Sequence, residues 1–520
     1  MKIKIKICSC LLLVCIVLIQ CKQKGKEETN PPDLDTAEYL ELCRPQYHFS
    51  PPAHWMNDPN GLVYKDGEYH LFYQFYPDSN VWGPMHWGHA VSKDLLHWSH
   101  LPIALFPDSL GYIFSGSVVI DHGNTSGFGI DGKDPMVAIF TQHNPVLEKS
   151  GSDKFQYQSI AYSNDNGRSF HKYKNNPVVP NPGIRDFRDP KVIWHAVTKQ
   201  WIMVLAAYDK VIFYNSTDLK EWKRAGEFGI VGDTRLWECP DLFPVKVEGS
   251  NEEKWILITS IQKGAPNGGT ATSYFVGDFD GKTFTSDPAH QKWLDYGKDN
   301  YAMVTYSDIP ADDGRVVAIG WMSNWQYAQV VPTEVWRSAC TFPRELRLDK
   351  VGDDYFLRSL PVREIASIEK NKLDIKPGMI TQNLRIMNDF SLAKLDMTFK
   401  RPIANTITIR FSNSMNEYME VSYNPISLKY EIDRSHAGNT DFSDDFPGIH
   451  STDASFIESE NIHFLILIDH SSIELFADNG FYTMTEIFFT SVPFDRAEIL
   501  GNEDTNLLQG MVWELKNTWR

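Results

Sequence analysis

An all-β chain in two parts, a five-bladed β-propeller followed by a C-terminal β-sandwich, is the fold class that the sequence predicts. Three observations lead there. After residue 45 the chain is a succession of short apolar and aromatic runs parted by Gly, Asn, Asp and Pro, with hardly a helical period among them. A unit made of a small residue, an acidic turn and then an aromatic recurs, placing Trp98, Phe170, Trp222 and Phe284 roughly 60 residues apart, the scale of one four-stranded propeller blade. Beyond Leu360 the runs lengthen and alternate strictly between apolar and polar, the pattern of a sandwich.

The elements follow in chain order. Residues 1–21 read as an export signal: basic Met1 to Lys6, an apolar run from Ile7 to Ile19 too short for a comfortable membrane span, and then Cys21. This resembles a bacterial lipoprotein signal, in which Cys21 becomes the lipidated first residue, although Gln20 stands where such signals prefer a small residue. Ordinary secretion with cleavage nearby is the alternative. Both place the mature protein outside the cytoplasm, and lipidation would hold it on the periplasmic or cell-surface face of a bacterial membrane. Residues 22–44 form a linker rich in Pro and acidic residues. Residues 45–350 are expected to form five blades, and 351–520 the sandwich, in which Asp478-Asn479-Gly480 reads as a hairpin turn.

At 520 residues the chain has ample surface to bury in two domains. Its net charge of −17, with no long basic patch after the first residues, argues against a nucleic-acid partner. Outside the signal only Cys43, Cys239 and Cys340 remain, too few for a disulfide framework and without the spacing of a zinc site. The 15 Trp residues are plausible sugar-stacking surfaces, but large β cores consume Trp as well.

Three acidic motifs carry the chemistry: WMNDPNG (Trp55 to Gly61), FRDP (Phe187 to Pro190) and WECPD (Trp237 to Asp241). Each reads as a turn. The Asx-Pro-Asn-Gly sequence would hold Asp58 rigidly at a strand end. The guanidinium of Arg188 would keep Asp189 ionised. Apolar Trp237 and Cys239 on either side of Glu238 would raise its carboxyl by desolvation, as a general acid requires. Turn formation explains any one motif alone. Together they supply Asp58, Asp189 and Glu238, the nucleophile, proton shuttle and spare charge of a retaining glycosidase.

In this order, and followed by DYGKDNYA (Asp295 to Ala302), GWMSNW (Gly320 to Trp325) and IDHSSIELFADNG (Ile468 to Gly480), the motifs resemble glycoside hydrolase family 32, the invertase, inulinase and levanase group. The resemblance runs from about His48 to the end of the chain. It implies a propeller joined to a sandwich and hydrolysis of β-fructofuranosides with retention, using no metal and no cofactor. Asp58 would be the nucleophile, Glu238 the acid/base, and Asp189, supported by Arg188, the stabiliser of the transition state. Asn57, Gln74, Trp82, Ser115 and Trp325 match positions lining that family's fructose pocket, with burial in the propeller core as the plain alternative for the two Trp residues. The expected substrate is a fructan, levan or inulin in preference to sucrose, cleaved from the chain end to release fructose. Endo-acting cleavage, fructosyl transfer to sugar, and a sugar-binding propeller without turnover are the alternatives; the last should lack one of the three carboxylates, and none is missing.

Overall fold

The computed structural model describes residues 39–456 and 459–519. The expected signal, Cys21 and the linker up to residue 38 lie outside the described residues. Five antiparallel sheets form the first part. Their strands are His54–Lys65, Glu68–Tyr76, His86–Ser92 and Trp98–Leu105 in blade one, and Tyr112–Ile120, Met136–His143, Gln156–Ser163 and His171–Lys172 in blade two. Blade three comprises Phe187–His195, Gln200–Ala207, Lys210–Ser216 and Lys223–Gly229, and blade four Trp237–Lys246, Glu253–Ile261, Ala271–Phe279 and Phe284–Thr285. Blade five is built from Tyr301–Thr305, Val316–Met322, Arg344–Val351 and Asp354–Pro361. The first strand of each blade is innermost, and the five meet as a closed ring, with blade five touching blade one. Closure is helped by Trp336–Arg337, which pairs in parallel with His54 and Trp55.

The recurring sequence unit is the connection from third to fourth strand. In blades one to four an aspartate closes it by accepting backbone N–H groups: Asp94 from Leu96 and His97, Asp165 from Ser169, Asp218 from Lys220 and Glu221, and Asp280 from Lys282 and Thr283. The aromatic that follows opens or directly precedes the outer strand and packs into the blade core. Blade five turns instead through Gly352, at φ 62°. Its outer strand therefore carries no such signal, and the expected boundary at 350/351 falls inside this hairpin; the blade ends at Pro361. Tyr39, Cys43 and Arg44, counted with the linker from sequence, are packed. Tyr39 stacks on Trp519 at 4.2 Å between ring centroids, and buried Arg44 donates to the carbonyls of Pro51 and Pro52.

The second part is a sandwich of a seven-stranded and a six-stranded sheet. In Ile407–Ser412 the inward Ile407, Ile409 and Phe411 alternate with Thr408, Arg410 and Ser412, as expected for a sheet wet on one side. Ser472–Ala477 and Tyr482–Ile487 are buried throughout, because the far face of their sheet lies on the propeller. That double burial traps charge. Arg344 of blade five bonds Asp295 and Glu474; Glu474 and Asp469 grip the two nitrogens of His48 at 2.8 Å each. Every one of these side chains is buried, so each charge needs its partner: an orphaned ion there costs several kcal/mol.

Burial opposes the charge on His48, but its hydrogen bonds to Asp469 and Glu474 outweigh that and push it from 6.5 up to about 9. A histidine raised on folding stabilises fully below its unfolded value, and the contribution is lost as pH rises through the folded one. The melting temperature of the wild-type protein should therefore fall relative to that of His48→Gln between about pH 6.5 and pH 9. Parallel melting curves for the two proteins across that window would contradict the assignment.

Candidate active site

Each of the five innermost strands breaks register along its length. The breaks lie between Met56 and Pro59, between Ile113 and Gly116, opposite Val204 and Ala206 (between Arg188 and Lys191), between Glu238 and Asp241, and between Tyr301 and Val304. A bulge frees a residue from the ladder and re-aims it. It also accommodates Pro59, Pro190 and Pro240, which have no N–H for a ladder and are tolerated at a bulge or on the free side of an edge strand. The three motifs are thus not turns, as the sequence suggested, but bulged stretches inside His54–Lys65, Phe187–His195 and Trp237–Lys246. Asn, Asp, Pro and Gly mark backbone that leaves regular pairing, and bulges share that signal with turns. Asp189, Cys239 and Ala302 hold left-handed backbone at φ 63°, 44° and 51°, a strain of about 1–3 kcal/mol each.

Asp58, Ser115, Asp189, Glu238 and Tyr301, one from each blade, line a single cavity of about 390 Å³. Asn57, Gln74, Trp82, Arg188 and Trp325 line it too, so all nine residues expected from sequence meet there. The carboxylate of Asp58 is gripped on both oxygens. Ser115 Oγ donates to Oδ2 at 2.6 Å, Cys239 Sγ approaches the same oxygen at 3.4 Å, and Asn57 Nδ2 donates to Oδ1 at 3.1 Å. Asn57 is itself fixed by Trp55 Nε1, and Gln74 by Asn60 Oδ1. Burial pushes Asp58 above the ordinary carboxylate range, and nearby Glu238 adds to this against the three donors.

The half-buried Glu238 is held by two donors: Arg188 reaches Oε1 through Nε and Nη2 at 3.2 and 3.0 Å, and the Tyr301 hydroxyl reaches Oε2. Its sequence neighbours leave it: Trp237 points to the opposite face of the strand, and bulged Cys239 turns its thiol to Asp58 and Asp189. Trp237 instead packs in the core between blades three and four.

Asp189 departs from expectation in another way. Its closest approach to Arg188 is 3.9 Å, since the guanidinium spends its hydrogen bonds on Glu238, Asp186 and Gln156. Asp189 keeps the backbone N–H of Cys239 at 3.0 Å. Burial dominates and raises it to about 7; Arg188 counteracts, and the charges of Glu238 and Asp58 add to the rise. Asp241, the last acid of WECPD, turns away from the cavity to bond Thr305 and Lys191, tying inner strands together.

Neither candidate Trp is a core residue. Trp82 is 37 % exposed and meets Phe114 edge-on; Trp325 lies over Trp55 at 5.8 Å and forms a wall of the cavity. Sequence reasoning missed Tyr301, Cys239, Asp186 and Gln156. Tyr301 was findable: blades one, three and four each bring a motif on the innermost strand, and the matching stretch of blade five is Asn300-Tyr301-Ala302. Asp186 and Gln156 line the cavity and bond Arg188; Asp186 stands two residues before it, whereas Gln156 comes from blade two, a contact no local pattern encodes.

An anchored carboxylate, a second carboxyl group reached by a cation and a phenol, and a third beside both can together attack a carbon, move a proton and bind hydroxyls around one small molecule. Comparison with known proteins places this arrangement. The signature of the "Glycosyl hydrolases family 32 N-terminal domain" matches residues 48–359, and that of the "Glycosyl hydrolases family 32 C terminal" matches 364–514. A levanase of Bacillus subtilis is 46% identical over 499 residues, covering 93% of this chain and 72% of that protein. An extracellular exo-inulinase of Aspergillus awamori is 36% identical over 517 residues, 92% of this chain and 96% of that one. The crystal structure of exo-inulinase from the same organism superimposes with a TM-score of 0.86 at 35% identity, covering 92% of this chain and all 100% of that one. With both signatures matched across propeller and sandwich, and relatives of this identity along nearly the whole length, the chain belongs to glycosyl hydrolases family 32.

Proposed function

We propose that this protein is a retaining β-fructofuranosidase that removes fructose from the ends of fructan chains. The observation that carries the reading is the meeting of Asp58, Asp189 and Glu238 around one cavity, each on a bulged inner strand. The levanase and exo-inulinase relatives support a fructan substrate, and the ordinary small-ligand size of the cavity that holds the three carboxylates supports exo over endo action. Release to water rather than to a second sugar follows the relatives' names.

In this reading the terminal fructosyl unit enters with its anomeric carbon facing Asp58. The carboxylate attacks that carbon while Glu238 gives its proton to the departing glycosidic oxygen, leaving a fructosyl ester on Asp58. Glu238 then takes a proton from water, which opens the ester and restores both groups. Two inversions at one carbon give net retention. Ser115 and Asn57 keep Asp58 from rotating, while Arg188 and Tyr301 fix Glu238. Asp189, beside both, binds fructosyl hydroxyls and offsets positive charge on the ring. Trp82 and Trp325 wall off water.

The protein is exported and tethered to a bacterial membrane through lipid on Cys21. The signal-like first residues and the extracellular exo-inulinase relatives support export.

Products from levan, inulin and sucrose, followed chromatographically with protein lacking residues 1–21, test the function. Fructose alone from the earliest times is expected. Early oligosaccharides would replace exo with endo action, and inertness on all three would sink the reading. Asp58→Asn should lower kcat by at least about 10³-fold, the loss expected when a member of a covalent catalytic unit is removed. Near-normal turnover would exclude Asp58 as nucleophile. Since Ser115 donates to the charged carboxylate, Ser115→Ala should raise Asp58 further and move the acid limb of kcat/KM to higher pH. A limb that stays or moves down would show that Asp58 does not set it.

A further inference from the structure

Two segments of the propeller that reach the cavity are fastened to the sandwich by one side chain. Arg434 follows the sandwich strand Lys429–Asp433 and is fully buried. Its Nη1 bonds Asp299 Oδ2 and lies 2.8 Å from Glu486 Oε2; its Nη2 donates to Tyr327 Oη at 2.9 Å. Tyr327 Oη in turn donates to Asp299 Oδ1 at 2.6 Å. The sandwich strand Tyr482–Ile487 adds the N–H of Ile487 on Asp299 Oδ2.

Asp299 and Tyr327 each stand two residues from a cavity side chain. Tyr301, after Asp299, donates to Glu238; Trp325, before Tyr327, is the cavity wall. A further bond, from Asn324 Nδ2 to the Lys298 carbonyl at 2.8 Å, ties the two segments together. Among the described residues the Trp325 side chain makes no hydrogen bond and is held by packing, chiefly against the rings of Trp55 and Trp321. Its placement therefore depends on the turn Asn324 to Tyr327, whose outer end is held by the Tyr327 hydroxyl.

We propose that Arg434 and Tyr327 are positioning residues for sugar binding: the sandwich guanidinium, through Tyr327 and Asp299, sets the Trp325 wall of the catalytic pocket. The inference rests on the fructosidase reading for its substrate. It gives the sandwich a part in substrate recognition without a sandwich side chain in the cavity. The planar fork matters as well as the charge, because one guanidinium meets Asp299, Glu486 and Tyr327 at once, which an ammonium on a single stem cannot match.

Removing the cation would leave Asp299 and Glu486 facing each other in the core, so truncation of Arg434 is a poor test. Tyr327→Phe keeps the ion pairs and the ring and deletes only the hydroxyl; Arg434→Lys keeps the charge. Both should fold, with melting temperatures lowered by the buried hydrogen bonds they lose, so KM is compared at a temperature where each is fully folded. Tyr327→Phe, which deletes the two buried hydrogen bonds of the hydroxyl, should raise KM for the best fructan about 3- to 10-fold with little change in kcat. The decisive readout is a double-mutant cycle: in a Trp325→Ala background, Tyr327→Phe should change KM less than about twofold, because its effect passes through Trp325. Arg434→Lys should follow the same pattern. An unchanged KM in Tyr327→Phe, or equal effects with and without Trp325, would overturn the proposal. If the wild type cleaves no fructan or sucrose, the fructosidase reading fails by itself, and the same cycle is then read from fructose dissociation constants by calorimetry. There, a coupling of Tyr327 to Trp325 supports the positioning role and its absence refutes it.

Discussion

Everything at the pocket depends on the inner strands of the propeller leaving regular pairing. A regular strand sends successive side chains to its two faces and does not by itself aim a chosen residue along the axis. The bulges between Met56 and Pro59, Ile113 and Gly116, Arg188 and Lys191, Glu238 and Asp241, and Tyr301 and Val304 aim one polar side chain per blade into the same space. The left-handed backbone at Asp189, Cys239 and Ala302 stores strain there, and the packed blades on all sides hold it. A second constraint follows. Three acids brought so close repel, and with one guanidinium among them burial and mutual charge push Asp58 and Asp189 upward. Arg188 is kept protonated by the surrounding carboxylates and bonds Glu238 directly. The three acids thus have distinct surroundings: Asp58 among neutral side-chain donors, Glu238 on a cation and a phenol, and Asp189 on the backbone N–H and thiol of Cys239.

The sandwich is bound to the propeller by buried charge as well as apolar contact. One chain of ions runs through Asp295, Arg344, Glu474, His48 and Asp469; another joins Asp299, Arg434, Glu486 and His450. Buried ion pairs are weak sources of net stability, but they penalise misalignment heavily, since a shift of either domain strands a charge. DYGKDNYA supplies Asp295 and Asp299 to these chains and Tyr301 to the pocket, so one short segment serves both interface and site.

The architecture was legible because blades announce themselves. Asp94, Asp165, Asp218 and Asp280 each close a turn before an aromatic, and that local chemistry repeats at blade spacing. The fifth blade has no such unit, which is why its last strand escaped the expected boundary. The nine pocket residues were legible through the family resemblance and the acidic motifs. What those motifs do to the backbone was not, because Asp-Pro in a bulge and Asp-Pro in a turn have the same letters. The environments of Glu238 and Asp189 were misjudged for a related reason: sequence neighbours such as Trp237 and Arg188 point elsewhere, and the partners that matter come from other blades. Interdomain partners such as Arg434 and Asp299, separated by 135 residues, leave no local trace at all.

The central claim is a double displacement at one anomeric carbon, by Asp58 with Glu238. Its most direct test is proton NMR of the fructose first released from a fructan, recorded before mutarotation equilibrates the anomers. The account predicts that the β-furanose appears first. Initial release of the α anomer would mean a single displacement by water and would contradict Asp58 as the attacking group.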